Sequence, residues 1–270
     1  MRPSSLNPLV KLAKAAGIRR RDLAAGRMYC ERHALASVAR RRRRNGGRIL
    51  CYHSVGQPEY GVNDVSPPRF RRHIELALGS GYRFVYASEI ARSGGGSRDL
   101  AMTFDDGLRS VLTAAAPILR EYRIPWTFFP VSEWCEHHSN WSPGAMMSWQ
   151  DVEQLVAQGG ELGSHSATHP DFGKLDPSRL SEELVGSRRT IERRVGIAPT
   201  TFAIPLGQSM NWTPAAGAAA REAGYEFMYA QAEETRPAGT IARTFVTTFD
   251  TDRIFGALLG GAYDRWEEWV

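Results

Sequence analysis

Two short stretches hold the residues best suited to chemistry. "TFDDG", residues 103–107, ends an apolar run with two adjacent carboxylates and a glycine, and "HSATH", residues 165–169, sets two imidazoles four residues apart. Histidines at that spacing can grip one cation through their ring nitrogens in a helical turn or tight loop. One carboxylate from the aspartate pair completes a two-histidine, one-carboxylate ligand set with open positions for water and substrate. Such a set lowers the pKa of bound water and polarises a carbonyl. The other carboxylate is then available to take a proton from that water. The competing explanation is that Asp105 and Asp106 cap a helix beginning near Leu108, a common use of aspartate. Capping accounts for one of them at most.

A histidine pair alone is weak evidence, so the elements that carry these groups decide the matter. "GRILCYHSV" predicts a short buried strand over residues 49–52 that delivers His53 at its C-terminal end. "SPPRFRRHIELALGSGY" reads as a helix with Ser66 as cap and prolines in its first turn. "RFVYASEIA" reads as a strand leading into a short turn, "DLAMTF" as a strand, "RSVLTAAAPILREY" as a helix and "IPWTFFPV" as a strand. Next come a helix in "SWQDVEQLVAQGG" capped by Ser148, a strand in "ELGSHS", and a long helix in "DPSRLSEELVGSRRTIERRVG". "TTFAIP", "TPAAGAAAREAG" and "YEFMYAQ" continue the alternation as strand, helix and strand. Repeated β-then-α units argue for a parallel sheet, and about seven of them argue for a barrel. In such a fold chemistry collects at the C-terminal ends of the strands, where His53, the aspartate pair and the two histidines all fall.

Composition sets the limits. At 270 residues and 42% hydrophobic, the chain can bury a sizeable core. Its three cysteines, Cys30, Cys51 and Cys135, match no paired spacing, which predicts a reducing compartment. Charge is uneven: residues 1–48 hold fourteen Lys and Arg against two acidic residues, a net +12, and the rest holds twenty against twenty-seven, a net −7. The division predicts a basic, helical N-terminal arm over residues 1–47 and a catalytic domain over residues 48–270. The arm reads either as a solvated basic helix or as a contact with an anionic membrane surface or a phosphate-bearing partner. Nucleic acid is disfavoured, since no aromatic interleaving or recognition helix accompanies the charge. No leader or membrane span is recognised, and the expectation is a cytoplasmic protein peripheral to the membrane.

The two motifs and their flanks resemble the polysaccharide deacetylases, the NodB-homology or carbohydrate esterase family 4 enzymes, across roughly residues 48–250. "YHSV", "GYRFV", "APILREYRIPWTFF", "SWQDVEQLVAQGGELGSHSATHP" and "FAIPLG" look like the family's poly-N-acetylglucosamine deacetylase branch. The resemblance implies a distorted (β/α)7 barrel and a divalent metal, zinc foremost with cobalt, nickel or iron as alternatives. It implies Asp106, His165 and His169 as metal ligands and Asp105 as general base. Where many members have an arginine bracing that base, this chain has Ala203, so another group must take the task. Where they have a tyrosine, it has Leu206, which keeps the backbone N–H that holds the oxyanion. No histidine follows His169, and the resemblance transfers the general acid to His53.

The implied reaction is metal-assisted hydrolysis of an N-acetyl group on a saccharide, releasing acetate. The alternatives are hydrolysis of a non-sugar linear or cyclic amide on the same fold, or an inactive glycan- or metal-binding module. Of the remaining polar and aromatic residues, His33 and His73 are expected on helix surfaces. His137 and His138 are expected in a solvated loop or substrate-facing lid, and Trp134, Trp141 and Trp149 are candidates for stacking on sugar rings.

Overall fold

A computed structural model describes residues 19–38, 44–137, 144–231 and 235–267. Trp141, His138 and the side chain of His137 lie outside the described residues. The strands are β1 (Arg48–Tyr52), β2 (Ser54–Val55), β3 (Asp64–Val65), β4 (Arg83–Phe84), β5 (Asp99–Phe104), β6 (Thr127–Phe128), β7 (Glu161–Leu162), β8 (Thr201–Ala203), β9 (Phe227–Gln231) and β10 (Ile241–Phe245). The helices are α1 (Arg20–Val38), α2 (Pro67–Gly79), α3 (Ala87–Ser93), α4 (Ala116–Glu121), α5 (Ser132–His137), α6 (Trp149–Ala157), α7 (Pro177–Val195), α8 (Pro214–Glu222) and α9 (Asp252–Leu259).

Seven parallel strands form the wall in the order β7-β6-β5-β1-β10-β9-β8. A single parallel bridge from Ser164 to Phe202 joins the two ends, so the sheet is a nearly closed barrel. β4 pairs beside the start of β5, while β2 and β3 pair with each other. The period-two alternation of a strand sorts the core into two layers. Leu50, Tyr52, Leu100, Met102 and Phe104 pack outward among helix residues such as Phe70, Ile74 and Leu119. Ile49, Ala101, Phe129, Ala203 and Tyr229 form a separate interior cluster. The expected distorted (β/α)7 barrel with a helical N-terminal extension is thus the observed architecture.

Several elements differ from their sequence expectation for local reasons. The strand expected through "RFVYASEIA" stops at Phe84, and Ala87–Ser93 is helical because the Glu89 carboxylate accepts the Tyr86 N–H and caps the turn. "IPWTFFPV" yields only Thr127–Phe128, hemmed in by Pro125 and Pro130, which lack an N–H for the ladder. The helix after the aspartate pair opens with a wide π turn over Val111–Ala115, upstream of Pro117, which cannot donate to an earlier carbonyl. His73 is not on a helix surface. It is fully buried and stacked on Phe255, and its Nε2 donates to the Asp250 carbonyl at 2.7 Å while Nδ1 accepts from Tyr52 at 3.1 Å.

The N-terminal helix is fastened to the barrel rather than simply solvated. Arg32 is fully buried, donates twice to the Asp250 carboxylate at 2.5 Å and once to the Phe245 carbonyl at 3.2 Å, and lies over the rings of Tyr263 and Trp266. A guanidinium with those partners is a specific lock between α1 and the end of the chain. Among the described residues no helix is long and apolar enough to cross a membrane.

Candidate active site

Alternation along β5 explains the first aspartate. Ala101, Thr103 and Asp105 share one face, so Asp105 points into the barrel mouth, buried at 3% exposure. The second aspartate arrives there by a left-handed backbone turn, with φ +71° at Asp106, followed by Gly107 at +80°. A Cβ on Gly107 would meet Pro130 at 3.1 Å, so only glycine fits that approach. Neither aspartate side chain caps the following helix; both are spent on the groups around them.

The histidine loop is built from the opposite side. Gly163 lets it pass Phe129, whose ring would stand 2.3 Å from an added Cβ. His165 Nδ1 donates to the Ala203 carbonyl at 2.8 Å, which leaves its Nε2 facing Asp106. The carboxylate of Glu183, buried on α7, accepts the backbone N–H groups of Ala167 and Thr168 at 2.9 Å and the Thr168 hydroxyl at 2.6 Å. Ser166 Oγ accepts the His169 N–H at 2.9 Å. Four of the five non-glycine residues with positive φ among the described residues are Asp106, Ser166, His169 and Leu206, all at this end of the barrel. Backbone strain of that kind persists where the surroundings hold it for a purpose.

Asp106, His165 and His169 bring three donor atoms within 4.8 Å of one another. Asp106 Oδ1 is buried with no hydrogen-bond partner, and the Nε2 atoms of His165 and His169 stand 3.4 and 3.5 Å from it. Ligand atoms about 2.1 Å from a shared ion stand about 3.4 Å apart at tetrahedral angles, so the trio fits a divalent cation. The other Asp106 oxygen accepts a hydrogen bond from Tyr60, which the sequence reading did not single out. Burial would raise the Asp106 pKa, but His165, His53 and His169 outweigh it and hold the carboxyl well below its ordinary range. Burial lowers His169 to about 4, so its ring is neutral and able to ligate at pH 7. His165 is also buried, but the two aspartates raise it overall.

Cys51, His53 and Asp105 form a second close group of donor atoms. Electrostatics separates the two groups. Arg243, from β10, donates to both Asp105 oxygens at 2.6 Å, and the Cys51 thiol donates to one of them at 3.4 Å. A guanidinium on the carboxylate repels a cation, so the metal-competent trio is the one at Asp106. Burial would raise Asp105, yet Arg243 and then His165 bring it below its ordinary value, which keeps it anionic. Arg243 supplies the brace missing at Ala203, and it comes from a strand the sequence reading did not delimit. The available signal was an arginine between Ala242 and Thr244 in an otherwise strand-like run.

His53 sits half-buried just past β1 with its ring edge-on to Phe245 at 5.2 Å and Nδ1 buried without a partner. Burial lowers its pKa, against the pull of Asp106 and Asp105. Leu206 lies on the loop after β8 with φ +64°, its carbonyl held by Gln231 Nε2 at 2.7 Å; its N–H makes no hydrogen bond among the described residues. Trp134 stacks on His169, with centroids 5.4 Å apart. The Glu183 clamp yields a prediction: Glu183→Gln should weaken zinc binding about 10- to 100-fold. Titrating metal-stripped protein with zinc checks this, and saturating zinc should restore most of the turnover.

Comparison with known proteins identifies the family and the fold. The family model described as polysaccharide deacetylase matches residues 92–228, just over half of the chain. A chitooligosaccharide deacetylase of Sinorhizobium fredii is 30% identical over 107 residues, 39% of this chain and 45% of that protein. The chain spans a quarter to under half the length of the first curated relatives it matches. In fold it is similar to IcaB from Ammonifex degensii, with a TM-score of 0.67 at 23% identity over 82% of this chain and 98% of that one. It is equally similar to the Streptococcus pyogenes deacetylase PplD in complex with acetate, with a TM-score of 0.67 at 18% identity over 77% and 96% of the two chains. The aspartate pair directly after β5 and the histidine loop after β7 both lie inside the matched span, and the chain belongs to the polysaccharide deacetylase family.

Proposed function

We propose that this chain hydrolyses the N-acetyl amide of an N-acetylated saccharide, releasing acetate and a free amino sugar. The observation that carries the reading is the division of labour between adjacent aspartates: Arg243 holds Asp105 anionic, while Asp106 turns toward two imidazoles. Asp106, His165 and His169 would hold a divalent cation, zinc foremost from the mixed nitrogen and oxygen donors. Such an ion supplies a Lewis acid and lowers the pKa of water at the site.

Asp105 accepts the proton of the attacking water, since its brace keeps it ionised and close to the trio. Leu206 offers its N–H to the oxygen that gains charge, on a loop whose carbonyls at Leu206 and Gly207 are pinned to Gln231. His53 delivers a proton to the departing amine. Because burial lowers its pKa, it is neutral at rest and must first collect that proton, and Asp105 lies within 4.8 Å to pass it on. Relatives named for acting on chitooligosaccharides support N-acetylglucosamine-type units as the substrate class.

The test is a substrate panel: N-acetylglucosamine oligomers of increasing length beside linear amides and cyclic imides. Equimolar acetate and free amine from the oligomers is the expected result. Turnover of the imides without acetate from any oligomer would replace this reading with the non-sugar amide hydrolase.

A further inference from the structure

Helix α1 lies outside the span that the family model matches, residues 92–228. Its C-terminal half does what a barrel helix ordinarily does: Leu35 and Ala36 pack against the outward layer of the core. Nearer its start, the same buried stripe goes elsewhere. Met28, 6% exposed, packs against Cys51 and Phe245, with Val62, Phe249 and Trp266 around them. By strand alternation Cys51 shares a face with Ile49 of the interior cluster, and Phe245 shares one with Arg243, so both belong to the barrel mouth. The register of β1 and β10 sets the two side by side. A helix that only covered the outer layer would meet the other face of these strands.

Each of those contacts backs a group at the centre. The Cys51 thiol donates to Asp105 at 3.4 Å. The Phe245 and His53 rings meet edge to face, with centroids 5.2 Å apart. Val62 follows two residues after Tyr60, which donates to Asp106, and the Val62 carbonyl accepts the Thr248 N–H at 2.8 Å. Arg32, four residues after Met28 on the same buried face, fixes the strand end itself. It donates to the Phe245 carbonyl at 3.2 Å and to the Asp250 carboxylate at 2.5 Å, and that carboxylate accepts the Thr247 hydroxyl at 3.0 Å and its N–H at 3.3 Å. The end of the chain holds the helix in return. The Tyr263 hydroxyl donates to the Arg32 carbonyl at 2.5 Å, and the Trp266 indole N–H donates to Glu31 at 3.1 Å. A close-packed interior transmits strain, and a misplacement of about 1 Å at reacting groups costs up to about a hundredfold in rate. From this geometry we propose that Met28 and Arg32 are positioning residues for the hydrolytic centre, setting Asp105 through Cys51 and His53 through Phe245. The kinetic consequence rests on the hydrolysis proposed above; the placement of His53 does not.

The test compares the full chain with Met28→Ala, Met28→Leu and Arg32→Lys, all well below their melting temperatures. Alanine removes the packing, and leucine keeps most of its volume. Lysine keeps the charge opposite Asp250 without the fork that also reaches the Phe245 carbonyl. In acetate release from N-acetylglucosamine oligomers, kcat should fall about tenfold in Met28→Ala and Arg32→Lys, with KM and zinc bound per chain unchanged, and return to near native in Met28→Leu. A second readout needs no turnover. In metal-stripped protein carrying isotopically labelled histidine, the imidazole signal assigned to His53 by its loss in His53→Gln should shift in the same two variants and return in Met28→Leu. A lower melting temperature with kcat within about twofold of native in both variants would make α1 a structural support only and overturn the proposal. If the native chain releases no acetate, the proposed hydrolysis fails and the His53 signal decides alone: an unmoved signal in folded Met28→Ala and Arg32→Lys overturns the positioning role, and a shifted one sustains it.

Discussion

Asp105→Asn should retain one metal ion per chain and lose about a thousandfold or more of kcat, within the range that a positioned general base contributes. The amide has nearly the shape of the carboxylate but no basic oxygen. Because Asp105 is paired with Arg243 and the trio does not depend on it, metal content should match the native protein. KM should change little, since the substitution removes an interaction needed only as the water is deprotonated. Metal analysis beside steady-state kinetics checks both halves. Loss of the metal together with activity would mean that Asp105 is a ligand, and the assignment of the two aspartates would have to be exchanged.

Arg243→Met should reduce kcat/KM about a hundredfold and move the acidic limb of its pH profile upward. The sign follows from the opposing influences on Asp105: burial pushes the carboxyl up, and Arg243 leads the groups that bring it below the ordinary value. Without the guanidinium, burial prevails and the base becomes protonated at a higher pH. The stability contributed by the pair has the same sign, being present above the unfolded carboxylate pKa of about 3.9 and lost as pH falls through the lower folded value. Leaving a buried carboxylate unpaired also costs about 3–5 kcal/mol, so melting must be followed in parallel. Arg243→Lys keeps the charge without the fork and should shift the limb less. An unchanged pH profile in a folded Arg243→Met protein would remove Arg243 from the account.

The barrel was legible in the sequence because helices and strands alternate with distinct periods and the glycine and proline signals fall between them. The donor trio was legible because its residues are short motifs at strand ends. The groups that support the trio were hidden by distance along the chain. Arg243 lies 138 residues from Asp105 and Tyr60 lies 46 from Asp106. No local pattern ties such pairs together; only the strand order, with β1 between β5 and β10, brings the first pair into register. Glu183 had a visible signal, an acid beside Leu180, Leu184 and Ile191 on the buried stripe of α7, but its purpose required the loop it clamps. His73 was misplaced for the converse reason: it shares the buried face of α2 with Phe70 and Ile74, where a polar ring is expected only if its partners are known.

The most direct measurement is acetate release from N-acetylglucosamine oligomers by protein stripped of metal, repeated as zinc is added back and bound ions are counted. The account predicts no release from the stripped protein and full recovery at one zinc per chain, with neither binding nor recovery in an Asp106→Asn variant. Undiminished release by the stripped protein, or recovery that does not require Asp106, would contradict it.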